Sequence, residues 1–176
     1  MRKVLYVLGQ LTDSDADWLA GAGRRIRSPQ GTRLIDYGVP LDQVFIVLDG
    51  EVSIQTAKGF ELARIGAGEI LGEMSLVDAR PPSASAVVAA DSWLLVIDKP
   101  VLRAKLDADT GFAARFYRAI AIFLSERMRS TVGRMGYGGG ADDEAAYDAD
   151  ELDATVLDTV HLAGSRFERM LHKLMG

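Results

Sequence analysis

The stretch "LGEMSLVDARPPSASAVV" (Leu71–Val88) has the composition of a ligand-binding loop. Near its start a glycine, Gly72, is followed by a glutamate, Glu73, and the stretch ends in a run of small, β-rich residues. An arginine and two consecutive prolines, Arg80-Pro81-Pro82, lie between these two parts. A carboxylate accepts hydrogen bonds from hydroxyl groups and a guanidinium pairs with anions. The stretch therefore predicts a pocket for a ligand that carries hydroxyl groups and a negative charge.

The residues around this loop predict a β-rich domain. From Arg25 to Asp98 the chain consists of short runs such as "VFIVLDG", "EVSIQT" and "SWLLVID", separated by glycines. Many short strands at this spacing are typical of a sandwich or barrel. Two helical segments follow, Pro100–Leu106 and Thr110–Met135. The predicted fold class is mainly β with flanking helices: an antiparallel jelly-roll β-barrel followed by C-terminal helices.

Three segments are predicted along the chain. Residues 1–136 form the β-barrel domain with its long C-terminal helix, residues 137–150 form a glycine-rich acidic linker, and residues 151–176 form an amphipathic tail helix. The apolar residues of the tail recur at steps of three and four between Leu152 and Leu174. Because the linker is flexible, this helix packs on its own domain, on a second copy or on a protein partner. The sequence leaves these three possibilities open.

The composition excludes several classes of protein. Of the 176 residues 48% are apolar and 26% are charged, which are ordinary values for a globular protein, and no apolar run approaches the ~20 residues of a membrane helix. The absence of cysteine excludes disulfides, thiolate metal sites and a cysteine nucleophile, so a cytoplasmic protein is expected. The net charge of −5 comes from the region after residue 140, which has nine acidic and three basic residues. Neither part of the chain has the basic character of nucleic-acid-binding proteins.

Candidate catalytic residues are few. The two histidines, His161 and His172, lie eleven residues apart on the tail helix, where surface positions explain them better than catalysis does. No sequence motif of a hydrolase, a metalloprotease or a P-loop protein is present. The chain is therefore not expected to be an enzyme or to contain a metal.

The aspartates of "DSDAD" (residues 13–17) have the spacing that begins a calcium-binding loop. However, Trp18 and Arg24 stand where such a loop needs a glycine and a glutamate. Capping of a short helix by Thr12 or Asp13 is the better interpretation.

Two ordered blocks of sequence carry a resemblance to a known family. "GTRLIDYGVPLDQVFIVLDGEVSI" (Gly31–Ile54) is similar to the opening strands and glycine turns of the cyclic-nucleotide-binding domain, as found in catabolite-activator proteins and protein kinase A regulatory subunits. "GEILGEMSLVDARPPSASAVVAA" (Gly68–Ala90) resembles the phosphate-binding cassette of that family, and "WLLVIDK" (residues 93–99) resembles the strand before its last helices. The resemblance extends from about Leu11 to Arg134. It implies a jelly-roll domain with a regulatory role and cAMP or cGMP as its ligand.

The resemblance implies roles for five residues of the cassette. In the family, the cassette glutamate accepts a hydrogen bond from the ribose 2′-hydroxyl, and the matching residue here is Glu73. Gly72 and Ser75 lie beside it at the start of a short helix whose backbone N–H groups hold the phosphate. Ser83 and Ala84 follow at the spacing where the family contacts the phosphate and the purine.

The chain departs from the family pattern on the phosphate side. Members that bind nucleotide usually carry an arginine nine residues after the glutamate, and this position is Pro82 here. Proline has no charge and no hydrogen-bond donor, so a charge-assisted bond that contributes about 1.5–3 kcal/mol is missing. Arg80 is the candidate replacement, and a solvent-facing position on the loop is the alternative for it.

Two functions follow from this pattern. The first is a non-enzymatic regulatory module that senses cAMP or cGMP with a weakened phosphate site. The second is a nucleotide-independent dimeric scaffold that has lost ligand binding. The apolar face formed by Phe112, Phe116 and Phe123 predicts a homodimer, and the tail helix is a candidate docking element for a protein partner. Only one helix is predicted after Gly138, so the helix-turn-helix that catabolite activators append does not fit, and nucleic acid is not an expected partner.

Overall fold

The computed structural model describes residues 4–78, 80–134 and 160–175 as a six-stranded antiparallel sheet with flanking helices. The helices and strands in chain order are α1 (Val4–Gln10), α2 (Asp13–Ala22), β1 (Arg24–Ser28), β2 (Arg33–Ile35), β3 (Gln43–Gln55), β4 (Glu61–Gly66), β5 (Ile70–Leu71), α3 (Met74–Val77), β6 (Ser85–Asp98), α4 (Lys99–Ala108), α5 (Thr110–Arg134) and α6 (Val160–Met175).

The long strands β3 and β6 form the centre of the sheet. They pair antiparallel from Gln43 opposite Asp98 to Gln55 opposite Ser85. β1 and β2 pair with β6, while β4 and β5 pair with β3. This antiparallel β-roll with C-terminal helices confirms the predicted fold class.

Each central strand contributes side chains to two hydrophobic cores. On β3, Val44 and Ile46 belong to the core shared with the helices, whereas Phe45 and Val47 belong to the core inside the roll. β6 alternates in the same way. Since successive side chains of a strand point to opposite faces, one continuous apolar run in each strand serves both cores.

The two central strands approach each other closely at Gly50, which has a φ of 91°. A Cβ atom at this position would lie 2.3 Å from the Ser92 Oγ and 2.5 Å from the Asp91 carbonyl oxygen. The register between β3 and β6 shifts in this region. A residue without a side chain is therefore required where the sheet bends.

The long helix α5 packs its phenylalanines into the core of this chain. Phe112, Phe116 and Phe123 are at most 2% exposed, and the ring of Phe112 lies edge-on to Trp18 with the centroids 5.4 Å apart. These three side chains are therefore not a seam between two copies, contrary to the prediction. An apolar face shows that a helix is covered but does not show which element covers it.

The tail helix α6 packs on the N-terminal helices. Ala163 and Met170 are completely buried in the core that also contains Val7, Leu8 and Leu19. Of the three possibilities that the sequence left open, residues 160–175 pack on their own domain, so their apolar face is not free for a protein partner. Residues 151–159 and 176 of the predicted tail helix and the predicted linker 137–150 lie outside the described residues.

Ion pairs hold α6 against α2. The Arg166 Nε lies 2.9 Å from the Asp13 Oδ1. Arg169 donates two hydrogen bonds to the Asp17 carboxylate, at 2.8 and 2.6 Å. The Lys173 Nζ donates to the Asp17 carbonyl oxygen at 2.8 Å. Two of the three aspartates that resemble a calcium loop are therefore partners of basic side chains on α6.

The third aspartate, Asp15, belongs to a helix cap. Thr12 is the N-cap of α2: its side chain accepts the Asp15 N–H at 3.2 Å, and the Asp15 carboxylate accepts the Thr12 N–H at 2.8 Å. Arg115 donates two further bonds to this carboxylate, at 2.7 and 2.9 Å. The capping interpretation is confirmed, whereas helix α1 was not predicted. Within the described ranges, no helix is long and apolar enough to cross a membrane.

Candidate functional site

The cassette begins with a turn that only glycine fits. β5 ends at Leu71, and Gly72 follows with a φ of 82°. A Cβ atom on Gly72 would lie 2.7 Å from the Gln43 carbonyl oxygen and 2.9 Å from the Leu41 Cδ2. The backbone conformation and the close approach of β3 both exclude a side chain here. The turn therefore fixes where the next residue, Glu73, is placed.

Glu73 is a buried carboxylate directly before the short helix α3, and its residue is only 2% exposed. Its Oε1 lies 3.0 Å from the Nη1 of Arg127, which comes from α5. The Arg127 guanidinium also lies over the Phe123 ring, 5.3 Å from the ring centroid. The predicted ribose-binding carboxylate is therefore paired with a cation from the C-terminal helix.

The environment of Glu73 changes its protonation. Burial raises the pKa of Glu73 above its ordinary value of 4.5, although the charges of Arg127 and Lys99 act in the opposite direction. A carboxylate of this kind binds a proton, a guanidinium or a hydroxyl group readily, because each of these compensates its lost hydration.

Ser75 connects the cassette to the start of α4. The Ser75 Oγ donates to the Gly72 carbonyl oxygen at 3.2 Å and accepts a hydrogen bond from the Nζ of Lys99. The same ammonium donates to the Leu41 carbonyl oxygen at 2.5 Å. Lys99 is only 2% exposed, and burial lowers its pKa below the ordinary value of 10.5, as does the nearby Arg103. A second cation therefore lies beneath the turn.

The residues predicted for the phosphate side lie apart from this cluster. The Arg80 side chain is 84% exposed, and its guanidinium lies 3.9 Å from Asp78. The Pro82 carbonyl oxygen accepts a hydrogen bond from the Gly38 N–H at 2.8 Å, which ties the loop to the β2–β3 connection. Ser83 is exposed, and Ala84 is partly buried against the core inside the roll. The role of Arg80 toward a phosphate, and those of Ser83 and Ala84, stay predictions.

The sequence did not indicate the two cations beside the cassette. Gly72, Glu73 and Ser75 come together as predicted from the motif, but Arg127 and Lys99 were not singled out. One signal was available: Arg127 lies four residues after Phe123 and seven after Ile120, on the buried face of α5. No group of three or more His, Asp or Glu side chains in the described ranges is arranged to hold a metal ion.

The fold and the cassette agree with a family assignment from the sequence. Residues 25–109 match the sequence model of the cyclic nucleotide-binding domain. The β-roll, its C-terminal helices and the cassette turn agree with this match, so residues 25–109 form a domain of the cyclic nucleotide-binding type. Domains of this family are regulatory or sensor modules.

Three individual proteins illustrate the similarity. The Pycsar effector protein XpPycTIR from Xanthomonas perforans is 26% identical over 113 residues, which is 64% of this chain but only 36% of that protein. A cyclic nucleotide-binding domain from Methylobacillus flagellatus has a TM-score of 0.69 with 24% identity, over 80% of this chain and 85% of the other. The N-terminal domain of a transcriptional regulator from Streptomyces coelicolor has a TM-score of 0.57 with 27% identity, over 80% of this chain and all (100%) of the other.

Proposed function

We propose that this chain is a non-enzymatic regulatory module that senses a cyclic nucleotide, cAMP or cGMP, through a cassette with a weakened phosphate site. The observation that carries the proposal is the buried carboxylate of Glu73, held behind the obligatory glycine turn at Gly72. A buried carboxylate is costly to the fold unless a partner compensates it. Arg127 is that partner here, and the ribose 2′-hydroxyl of a nucleotide is a further group that can donate a hydrogen bond to the same carboxylate.

The ion pair with Arg127 supports a role in signalling. Because Arg127 belongs to α5, a ligand hydroxyl that bonds to Glu73 competes with a contact between the cassette and this helix. The free energy of that competition is what couples ligand binding to the position of α5. In this proposal the C-terminal helices are the elements that respond to the ligand.

The phosphate side supports only weak binding. Pro82 replaces the usual arginine, and Arg80 extends into solvent beside Asp78. Losing one charge-assisted bond of about 1.5–3 kcal/mol lowers the affinity about ten- to a hundredfold. We therefore expect dissociation constants in the micromolar range or weaker.

Calorimetric titration of cAMP and cGMP into purified protein, after any co-purified nucleotide has been removed, tests the proposal. We expect saturable binding that is lost in Glu73→Ala and kept in Glu168→Ala, a glutamate replaced on the exposed side of α6. The same loss in both variants, or saturable binding retained by Glu73→Ala, would contradict the assignment of Glu73.

The second candidate is a nucleotide-independent scaffold. The observation that favours it is that Glu73 already has a partner, while the proline at position 82 removes the phosphate arginine. A cassette in which Arg127 occupies Glu73 stabilises the fold and binds no ligand. If the titration shows no heat of binding up to millimolar nucleotide, the result would support this candidate over the sensor.

Dimerisation is a separate proposal. Because Phe112, Phe116 and Phe123 are internal, a homodimer has to use other surfaces, such as the exposed side of α5 with Tyr117 and Met128. Light scattering at micromolar protein concentration, with and without nucleotide, measures the molar mass and thus the oligomeric state. A monomeric mass under both conditions would exclude a dimer in this range.

A further inference from the structure

Lys99 is an unusual residue for the position that it occupies. Lysine is almost never fully buried unless it is paired, yet this side chain is among the largest that the fold buries completely. Its ammonium donates to the Leu41 carbonyl oxygen and to the Ser75 Oγ, and Ser75 passes a hydrogen bond on to the Gly72 carbonyl oxygen. A continuous chain of hydrogen bonds thus runs from α4 to the cassette turn.

The charges around the cassette do not cancel. Glu73 and Asp42 contribute one negative charge each, and Arg127, Lys99 and Arg103 contribute one positive charge each. The excess of one positive charge equals the single negative charge of a cyclic phosphodiester. Charges in a water-poor environment are screened little, so an ammonium behind the turn acts on an anion in front of it.

Resting on the proposed function, we infer that Lys99 is a positioning residue of the nucleotide site. Its ammonium holds the cassette turn through Ser75 and supplies the positive charge that the absent arginine at position 82 would otherwise provide. The phosphate is thereby stabilised through the turn and not by direct contact with a side chain on the loop. A purely structural role needs only a neutral residue that fills the space, and burying an ammonium costs stability even where its hydrogen bonds are satisfied.

A matched set of variants separates charge from packing. Lys99→Met removes the charge and keeps the length of the chain, and Lys99→Arg keeps the charge. Lys105→Met makes the first substitution on the same helix α4, where the ammonium pairs with Asp109 away from the cassette. Each protein is titrated with the cyclic nucleotide that the wild type binds and, by ligand-observed NMR, with the parent nucleoside, which lacks the phosphate.

We expect Lys99→Met to weaken binding of the cyclic nucleotide about tenfold or more and to change nucleoside binding less than about threefold. Lys99→Arg should restore most of the affinity, and Lys105→Met should match the wild type. An equal loss for both ligands in Lys99→Met, or wild-type affinity for the cyclic nucleotide, would overturn the inference. Wild-type protein that binds no cyclic nucleotide would instead overturn the proposed function itself.

The pH dependence of the wild type gives a second test that needs no folded Lys99→Met protein. Because burial lowers the pKa of Lys99, its charge is lost at a lower pH than that of an ordinary lysine. The affinity for the cyclic nucleotide should therefore fall as the pH rises toward 10, and this fall should be absent in Lys99→Arg. The charged groups that face the ammonium, Arg103, Asp42 and Glu73, are the same in both proteins, so identical profiles would contradict the role of Lys99.

Discussion

Gly72 and Gly59 have nearly the same φ, 82° and 83°, but different surroundings. A Cβ atom on Gly72 would lie 2.7 Å from a backbone oxygen of β3, whereas a Cβ on Gly59 would meet nothing within 4 Å. Gly59→Ala should cost about 1 kcal/mol from the left-handed conformation alone, and Gly72→Ala should cost roughly 2 kcal/mol more. Urea denaturation measures the stability of both variants. Equal losses of stability in Gly59→Ala and Gly72→Ala would show that the cassette turn tolerates a side chain.

The pair of Glu73 and Arg127 makes a prediction about pH. Arg127→Met leaves a buried carboxylate without its guanidinium, and because Arg127 is partly exposed we expect a loss of about 2 kcal/mol at pH 7. The raised pKa of Glu73 means that the folded state takes up a proton above the unfolded value of 4.5. Stability from this group is therefore greatest at low pH and declines as the pH rises through the folded pKa.

Consequently, the difference in stability between Arg127→Met and the wild type should become smaller as the pH falls toward 4.5. The double variant Glu73→Gln/Arg127→Met should recover most of the stability at pH 7, since no buried charge remains. Thermal denaturation of the wild type, Glu73→Gln, Arg127→Met and the double variant, each at pH 7 and at about pH 4.5, tests the pair. A loss that is the same at both pH values would indicate that Arg127 contributes by packing on Phe123.

The residues of the site differ in how far the sequence could predict them. Gly72, Glu73 and Ser75 are adjacent in the chain, so a local motif identifies them. Glu73 and Arg127 are separated by 54 positions, and Lys99 reaches Leu41 across 58. Such contacts depend on how the helices pack against the sheet, and no local pattern encodes that arrangement. The departure at Pro82 was visible in the sequence, whereas the cations beside the cassette were visible only in the structure.

Helices α2 and α5 are joined by an ion pair between the buried Asp15 carboxylate and the partly exposed Arg115 guanidinium, and its contribution to stability depends on pH. Burial alone would raise the pKa of Asp15, but the hydrogen bonds from Arg115 and Thr12 lower it below the ordinary value of 3.8. A lowered pKa stabilises the fold above the unfolded value, and the contribution is lost as the pH falls through the folded value. Asp15→Asn should therefore cost about 2 kcal/mol near neutral pH, and its difference from the wild type should disappear in acid.

Asp36→Asn is the matched control for this prediction. Asp36 also pairs with an arginine, Arg33, at 3.1 Å, but both side chains are more than half exposed. The same substitution should therefore change stability by less than about 0.5 kcal/mol. Chemical denaturation at pH 7 and pH 3 compares the stability of the two variants. Similar losses of stability in both would contradict the role assigned to Asp15.

The sequence predicted the helical elements better than their partners. The segments Pro100–Leu106 and Thr110–Met135 agree closely with α4 and α5. The periodicity of α5 showed an apolar face, but α1, which packs against that helix, was not predicted at all. A seven-residue segment has too few turns to show a helical period, so the element that covers the face stayed hidden.

At the scale of the whole molecule, α6 connects the end of the described chain to its beginning. The ion pairs of Arg166 and Arg169 with α2 are partly exposed, and each contributes about 1 kcal/mol or less. Ala163 and Met170 are completely buried, so burial of apolar surface supplies most of the stability of this contact. Charge reversal on the rim should therefore weaken the docking of α6, and a charge in its centre should abolish it.

Ala163→Glu places a carboxylate at the centre of this contact, and Ser165→Glu places the same group on the exposed side of the same helix. Hydrogen exchange measured by mass spectrometry should show that residues 160–175 lose protection in Ala163→Glu and keep it in Ser165→Glu. The central strands β3 and β6 should stay protected in both proteins, because α6 packs mainly on α1 and α2. Loss of protection throughout the sheet in Ala163→Glu would mean that α6 is an integral part of the fold. Selective loss would make it a separable element, whose protection can then be compared in the wild type with and without cyclic nucleotide.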